Sequence, residues 1–193
     1  MLNKKEFNGI REEMHALDVK REEVIQLSRK IITLSKQVIY AAQRNGPEEA
    51  ESAVKEIKAD VAKLRKIRTP LGTSIDTNIN SVAFQEYVEA MCFYEFVKNN
   101  RLPSKASLKV NAEDYLSGLC DLTGELGRKA IYDVIHKKFD EAEKIKELVH
   151  DIYGEFLKLN LRNGELRKKS DSIKWNLKKL EEVMYDVSMK GRN

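Results

Sequence analysis

The sequence has few of the residues that interrupt helices. Glycine occurs 9 times and proline 3 times among 193 residues, so few positions force a turn and long helices are expected. No apolar run approaches the roughly 20 residues that a membrane-spanning helix needs, and the first residues lack the apolar segment of a secretory signal. The glycine-rich motifs GxxxxGK and GxGxxG are also missing, so neither nucleotide hydrolysis nor dinucleotide binding finds support.

Cysteine and histidine are scarce as well. Cys92 and Cys120 have no CxxC spacing, which argues against a zinc site and against a disulfide framework. We expect both to be small, buried, apolar side chains that at most border a functional site. The three histidines show no metal-binding spacing, so surface or capping positions are expected for His15, His136 and His150. A reducing, cytoplasmic location with no membrane partner follows as an expectation.

Apolar residues recur at spacings of three and four through most of the chain, which is typical of amphipathic helices. No stretch alternates with a period of two for long enough to indicate a sheet. We therefore predict an all-α fold in which residues 1–193 form a single bundle of six or seven helices. The predicted helices cover about 10–44, Pro47 to just before Pro70, about 74–99, about 112–136, from a turn at 136–139 to Asn160, and about 165–190.

The apolar stripes predict which side chains the helices bury. The stripe of the first helix contains Val24, Leu27, Ile31, Leu34, Val38 and Ala41, and that of the last contains Ile173, Leu177, Leu180, Met184 and Val187. Their spacing also suits coiled-coil seams, so each stripe faces either the core or a partner subunit. Core or subunit contact is likewise expected for Trp175 and Tyr185, in preference to stacking on bases.

The net charge of +4 is modest, but the basic residues are clustered. Such clusters either follow a phosphate backbone or form solvated helix faces and last turns, and the sequence alone favours the solvated faces. The clusters are Lys63, Arg65, Lys66 and Arg68; Lys98 and Arg101; and Lys168, Lys169, Lys174, Lys178 and Lys179.

Two acidic pairs stand on neighbouring predicted helices. Glu86 and Glu89 are three residues apart, and Asp121 and Glu125 are four apart, so each pair projects from one helix face. If the two faces meet, four carboxylates converge, and a divalent cation bound by oxygen, Mg²⁺ or Mn²⁺, would relieve their repulsion.

Spacing alone does not choose this interpretation. The same residues suit a solvated helix face, on which Glu125 pairs with Arg128 or Lys129. Glu182 and Asp186 form a similar pair elsewhere.

Three glycines lie inside the predicted fourth helix: Gly118, Gly124 and Gly127. Each costs about 1 kcal/mol relative to alanine in a helix interior. They predict the close approach of another backbone or of a ligand.

Four separated segments resemble the translin family, and within it the translin-associated factor X branch. They are KREEVIQLSRKIITLSKQVIYAAQR, FQEYVEAMCFYEFVK, DYLSGLCDLTGELGRKAI and KKLEEVMYDVSMKG, which together span nearly the whole chain in the family's order. The chain lacks the long insertion that eukaryotic members of that branch carry before the DYL segment, so it resembles a compact, archaeal-like form.

The resemblance implies a function as well as a fold. Members of that branch carry Mg²⁺-dependent endoribonuclease residues in the EYVEA and DLTGE motifs, and Glu86, Glu89, Asp121 and Glu125 fill all four acidic positions. We therefore expect these residues to bind Mg²⁺, with Mn²⁺ as an alternative, and to cleave single-stranded RNA and, as a further substrate, single-stranded DNA. Lys63, Arg65, Lys66, Arg68, Lys98 and Arg101 would hold the phosphate backbone.

The resemblance further implies an octameric shell of helical subunits with the acidic sites facing inward, built from copies of this chain or with a separate translin subunit. Two other functions stay open at this point. One is a translin-type protein that binds single-stranded RNA or DNA without cleaving it, and the other is a helical scaffold with no nucleic-acid role.

Overall fold

The computed structural model describes residues 2–44, 46–68 and 78–190, apart from the side chains of Arg68, Asn78 and Lys190. Within these ranges the chain forms seven helices and no strand, so the predicted all-α class is confirmed. The helices are α1 (Lys4–Gln43), α2 (Pro47–Arg68), α3 (Asn78–Asn99), α4 (Lys105–Leu108), α5 (Ala112–Ile135), α6 (Phe139–Leu157) and α7 (Glu165–Lys190).

Helix ends follow local capping signals, and these account for the differences from the predicted bounds. α1 begins at Lys4 because the Asn3 side chain accepts a hydrogen bond from the Glu6 amide at 3.3 Å. The predicted start of the third helix, residues 74–77, lies outside the described residues. α6 ends at Leu157, three residues before the predicted Asn160, in a tight turn in which the Lys158 amide bonds to the Glu155 carbonyl.

The short helix α4 was not predicted. Its four residues carry too little periodicity to indicate a helix, but Ser104 caps it through the Ser107 amide at 3.1 Å. Leu108 is buried, and Arg65 of α2 donates a hydrogen bond to its carbonyl at 2.5 Å. The helix therefore depends on a contact between residues distant in sequence.

The core lies between successive neighbours in the bundle. α1 packs against α2 and α3, α3 against α5, and α5 against α6 and α7. The predicted stripes enter this core: all of the α1 residues are buried except the half-buried Leu27. In α7, Ile173, Leu177 and Leu180 are buried, whereas Met184 and Val187 are only half-buried.

Both long terminal helices extend past the core. The first buried residue of α1 is Val24, so the preceding turns leave Phe7, Ile10 and Met14 exposed. On α7, Trp175 and Tyr185 are 64% and 63% exposed. Of the two expected environments, the core of this chain is therefore excluded, and contact with another subunit stays a prediction. Trp175 lies on the side of α7 opposite the buried Ile173, Leu177 and Leu180. No helix in the described part of the chain combines the length and apolarity needed to cross a membrane.

Of the three α5 glycines, Gly118 is the one at which the neighbouring helix α3 leaves no room for a side chain. A Cβ atom at this position would lie 2.7 Å from the Gln85 carbonyl oxygen and 2.7 Å from the Val88 side chain, both on α3. The close approach predicted from the glycines is therefore present at Gly118. Gly124 would meet only Asn176, at 3.8 Å, and Gly127 would meet nothing within 4 Å.

These two environments predict opposite effects of the same substitution. Gly118→Ala should lower the free energy of unfolding by about 1–3 kcal/mol, because the added methyl group must push α3 and α5 apart. Gly127→Ala should raise it by up to about 1 kcal/mol, because alanine is the better helix former and has room there. Urea denaturation followed by circular dichroism measures both, and equal effects of the two variants would contradict the close packing at Gly118.

Candidate functional site

The four predicted carboxylates lie together in one cleft of about 700 Å³. α3 supplies Glu86 and Glu89, and α5 supplies Asp121 and Glu125, so the two pairs share one space at the α3–α5 contact. The remaining lining residues come from α1, α5 and α7 and are Lys36, Ile39, Tyr40, Gln43, Cys120, Gly124, Arg128, Lys169, Ser172 and Asn176.

Glu89 is the buried member of the four, with 8% of its surface exposed. Burial is the main cause that raises its pKa from 4.5 to about 8, and the carboxylates of Asp121, Glu86 and Glu125 raise it further. Burial also raises the pKa of the half-buried Glu86, although the Lys36 ammonium opposes this. No hydrogen bond or ion pair from a described residue reaches the Glu89 carboxyl. Glu89 is therefore held as a neutral acid near pH 7.

The two α5 carboxylates have partners. The Lys169 ammonium of α7 bonds to the Asp121 carboxylate. Glu125 accepts from Gln43 of α1 at 2.9 Å and pairs with Arg128 at 3.0 Å. The Glu125–Arg128 pair is one of the two that the sequence predicted for a solvated face; Lys129 pairs instead with the buried Asp133, at 2.5 Å. The cleft thus contains both carboxylates and the cations that partly neutralise them.

A chain of hydrogen bonds fixes one wall of the cleft. The Gln85 amide nitrogen donates to Ser81 at 2.9 Å and lies 3.5 Å from Asp114, and its oxygen accepts from Lys169 at 3.1 Å. Ser81 itself donates to Asp114 at 2.6 Å. Asn111 caps α5 by accepting from the Asp114 amide at 2.7 Å, and it donates to the Asp114 carboxylate at 2.8 Å. This network therefore lies at the start of the helix that carries Asp121.

The acidic side chains of the cleft offer the type of ligand that a hard divalent cation takes. All four are carboxylates, whose oxygens Mg²⁺ and Mn²⁺ prefer, and no described cation forms an ion pair with the buried Glu89. Where the side chains stand now, no group of three or more His, Cys, Asp or Glu among the described residues is arranged to hold an ion. Asp121 and Glu125 are engaged by Lys169 and Arg128 instead.

Of the six basic residues predicted to bind the phosphate backbone, the five whose side chains the structure describes do not line this cleft. Lys63 pairs with Asp60 at 3.4 Å, and Lys66 lies beside it on an exposed face of α2. Lys98 donates to Tyr94 at 2.9 Å, and Arg101 pairs with Glu95 at 3.4 Å.

The two arginines near the end of α2 differ from the other four residues. Arg65 packs over the Phe84 ring and bonds to α4, so it stabilises the fold. Arg68 ends α2, and its side chain lies outside the described residues.

The cations that do reach the cleft are Lys36, Arg128 and Lys169. Lys169 belongs to the C-terminal basic cluster, but its spacing did not distinguish it from its neighbours, because its partners are on α3 and α5. Lys36 lies opposite the buried stripe of α1, and no sequence pattern distinguished it from other exposed lysines.

The cysteines and histidines follow their predicted environments. Cys120 lines the cleft and Cys92 does not, and both are buried. Burial raises the pKa of each thiol to about 12, so neither provides a thiolate near neutral pH. His15, His136 and His150 are exposed, and His136 forms the C-cap of α5.

Most of the chain matches one known protein family. The pattern of the Translin family matches residues 19–191. The chain belongs to the translin family. Translin of Gallus gallus is 39% identical over 84 residues, which make up 44% of this chain and only 37% of that protein. Translin-associated protein X of Pongo abelii is 26% identical over 226 aligned residues, covering 96% of this chain and 78% of the relative.

Solved structures share the fold over nearly the whole chain. Apo-NeC3PO is 31% identical, with a TM-score of 0.83 over 96% of this chain and 97% of that one. AfC3PO, solved in a complex with duplex RNA, has a TM-score of 0.87 at 23% identity and covers 97% of this chain and 99% of its own. The translin-like fold expected from the four sequence segments is confirmed.

The raised pKa of Glu89 predicts a specific dependence of stability on pH in metal-free protein. The stability contributed by neutral Glu89 is complete below pH 4.5 and is lost as the pH rises through about 8, because the carboxyl must then ionise while buried. Glu89→Gln should therefore match the wild type in melting temperature near pH 5 and exceed it increasingly up to pH 8 to 9.

Thermal unfolding in EDTA across this pH range measures the difference. Glu147→Gln, at an exposed position on α6, is the control for loss of a carboxyl as such. A constant difference between Glu89→Gln and the wild type at every pH would show that Glu89 is not neutral near pH 7.

Proposed function

We propose that the protein is a Mg²⁺-dependent endoribonuclease that cleaves single-stranded RNA. The observation that carries the proposal is the convergence of Glu86, Glu89, Asp121 and Glu125 in one cleft that cations also line. A solvated helix face would leave all four exposed, whereas Glu89 is buried and the other three are half-buried. Burying four carboxylates together costs free energy, and a bound cation would offset that cost.

The residues of the cleft suit the parts of a phosphodiester hydrolysis. A bound Mg²⁺ or Mn²⁺ would supply a Lewis acid for the phosphate and the charge needed to activate a water. Glu86, Glu89, Asp121 and Glu125 would hold it. Glu89, the buried member of the four, would also orient the attacking water.

The phosphate backbone needs cations at the mouth of the cleft. Lys36 is exposed there and has no ion pair with a described residue, and Arg128 lies on the α5 side with its pair to Glu125. We propose that these two residues bind the phosphates next to the bond that is cut. Lys63, Lys66, Lys98 and Arg101 lie elsewhere on the surface and would contact RNA outside the cleft.

We also propose an assembly, an octameric shell made of copies of this chain, or with a separate translin subunit, that encloses the clefts. The exposed apolar residues of the two terminal helices support association, because Phe7, Ile10 and Met14 lie together on one side of α1 and Trp175 and Met189 are exposed on α7.

A non-catalytic function remains the second candidate. Over 84 residues the chain is 39% identical to translin of Gallus gallus, a higher identity than the 26% that it shares with translin-associated protein X over its length. In that case the protein would bind single-stranded RNA or DNA, and the carboxylates would have only their present partners.

Cleavage of labelled RNA separates these functions. With Mg²⁺ the wild type should cut single-stranded RNA into fragments, and EDTA should stop it. Glu89→Gln and Asp121→Asn should each lower the rate roughly hundredfold or more, since each replaces a carboxylate ligand of the proposed metal site with a weaker amide ligand. Duplex RNA belongs in the same assay, because AfC3PO was solved with it.

The matched control is the acidic pair Glu182 and Asp186 of α7, which has similar spacing but is exposed and outside the cleft. The variant Glu182→Gln/Asp186→Asn should cut at the wild-type rate. Metal-independent binding without cleavage would instead support the translin-type function, and cleavage that persists in Glu89→Gln and Asp121→Asn would exclude the proposed site.

Salt dependence of RNA binding tests which cations meet the phosphates. In EDTA, Lys36→Met should weaken binding and reduce the slope of log affinity against log salt by about 0.7, the value for one phosphate contact on a single strand. Lys66→Met, in the cluster predicted from sequence, should change the slope less. A larger effect of Lys66→Met would place the main RNA-binding surface on α2.

A further inference from the structure

The Lys169 side chain already places a cation within the cleft. Its ammonium bonds to the Asp121 carboxylate and lies 3.1 Å from the Gln85 amide oxygen. It is also close enough to Glu86 and Glu89 to interact with both carboxyls. One positive charge on α7 thus acts on three of the four residues assigned to the metal.

The position of the ammonium is built into the fold. The Gln85 amide nitrogen is occupied by Ser81 and Asp114, so its oxygen must point toward Lys169. Asp114 is only 3% exposed and also accepts a hydrogen bond from Asn111 at 2.8 Å. The carboxylate that orients Gln85 is therefore itself held in place.

The neighbouring lysine shows what an ordinary surface pair looks like on the same helix. Lys168 pairs with Glu165 at 2.7 Å, and both side chains are largely in solvent. Lys169 and Asp121, on different helices, are each about two-thirds buried. Charge, side-chain length and helix are the same for the two lysines, so Lys168 is a matched control for Lys169.

We propose that Lys169 is a tethered counter-cation that competes with the divalent ion for Asp121, so that the ion binds as the ammonium withdraws. The proposal deepens the proposed function and rests on its metal site. It accounts for the lack of a chelating group of carboxylates among the described residues, since Asp121 is engaged by Lys169. The displaced ammonium is then available to a phosphate oxygen, which couples binding of the metal to binding of RNA.

Titration of metal-free protein with Mn²⁺, followed by electron paramagnetic resonance without RNA, tests the competition. Lys169→Met should bind Mn²⁺ about tenfold more tightly than the wild type, which is within the usual range for coupled binding. Lys169→Arg, which keeps the charge, should stay at or below the wild-type affinity, and Lys168→Met should equal it. Unchanged or weaker binding by Lys169→Met would overturn the proposal.

A second measurement uses only the wild type, so its result does not depend on whether the variants fold. Acetic anhydride should label Lys169 more rapidly after Mg²⁺ is added, as read from peptide masses, while the labelling of Lys168 stays constant. Labelling of Lys169 that does not respond to Mg²⁺ would overturn the competition.

The two proposals can fail separately. Tighter Mn²⁺ binding by Lys169→Met in a protein that cuts no RNA would support the counter-cation and refute the nuclease. Cleavage with no tightening would refute only the counter-cation, and no Mn²⁺ binding by any variant would refute both.

Discussion

The contact of Gly118 with the backbone of α3 sets the geometry on which the cleft depends. With no Cβ at this position, α5 packs directly against the Gln85 carbonyl oxygen. Glu89 lies four residues after Gln85, and Asp121 lies three residues after Gly118, so both acids stand one helical turn from the contact. The acidic pairs face one another because the two backbones approach at this level. A wider spacing would let water between the carboxylates and remove the burial that distinguishes Glu89.

That burial opposes folding. Raising the pKa of Glu89 from 4.5 to about 8 corresponds to several kcal/mol between its charged and neutral forms, which is a large share of the 5–15 kcal/mol that stabilises a typical domain. A helix pair selected for stability alone would place apolar side chains here. The polar partners of Asp121 and Glu125, which come from α1, α5 and α7, offset part of the cost. The cleft therefore has the pattern of a functional site, in which local stability is lower than the core could provide.

The parts of the fold that depend on local signals could be predicted from the sequence. Helical periodicity identified the long helices and stripe residues such as Ile31 and Ile173, and the four carboxylates followed from resemblance to the family. The partners of those carboxylates could not be predicted, because Lys169 and Asp121 are separated by 48 positions and meet only through the packing of α7 on α5. The exposure of Trp175 could not be predicted for a related reason. Periodicity locates the buried stripe of α7, but whether a bulky residue off that stripe is covered depends on which helices pack nearby, and Trp175 is left 64% exposed between the buried Ile173 and Leu177.

The arrangement separates a rigid part of the cleft from an adaptable one. The acids project from α3 and α5, which are packed together through Gly118 and a buried layer that includes Val88 and Leu122. Two of the cations, Lys36 and Lys169, project from α1 and α7 on side chains of four methylene groups. Rotation of such side chains is fast and requires no helix to move. Under the proposed function, the cleft would therefore exchange its counter-ions, from lysine to a metal and phosphate, while the carboxylates keep the spacing that the core gives them.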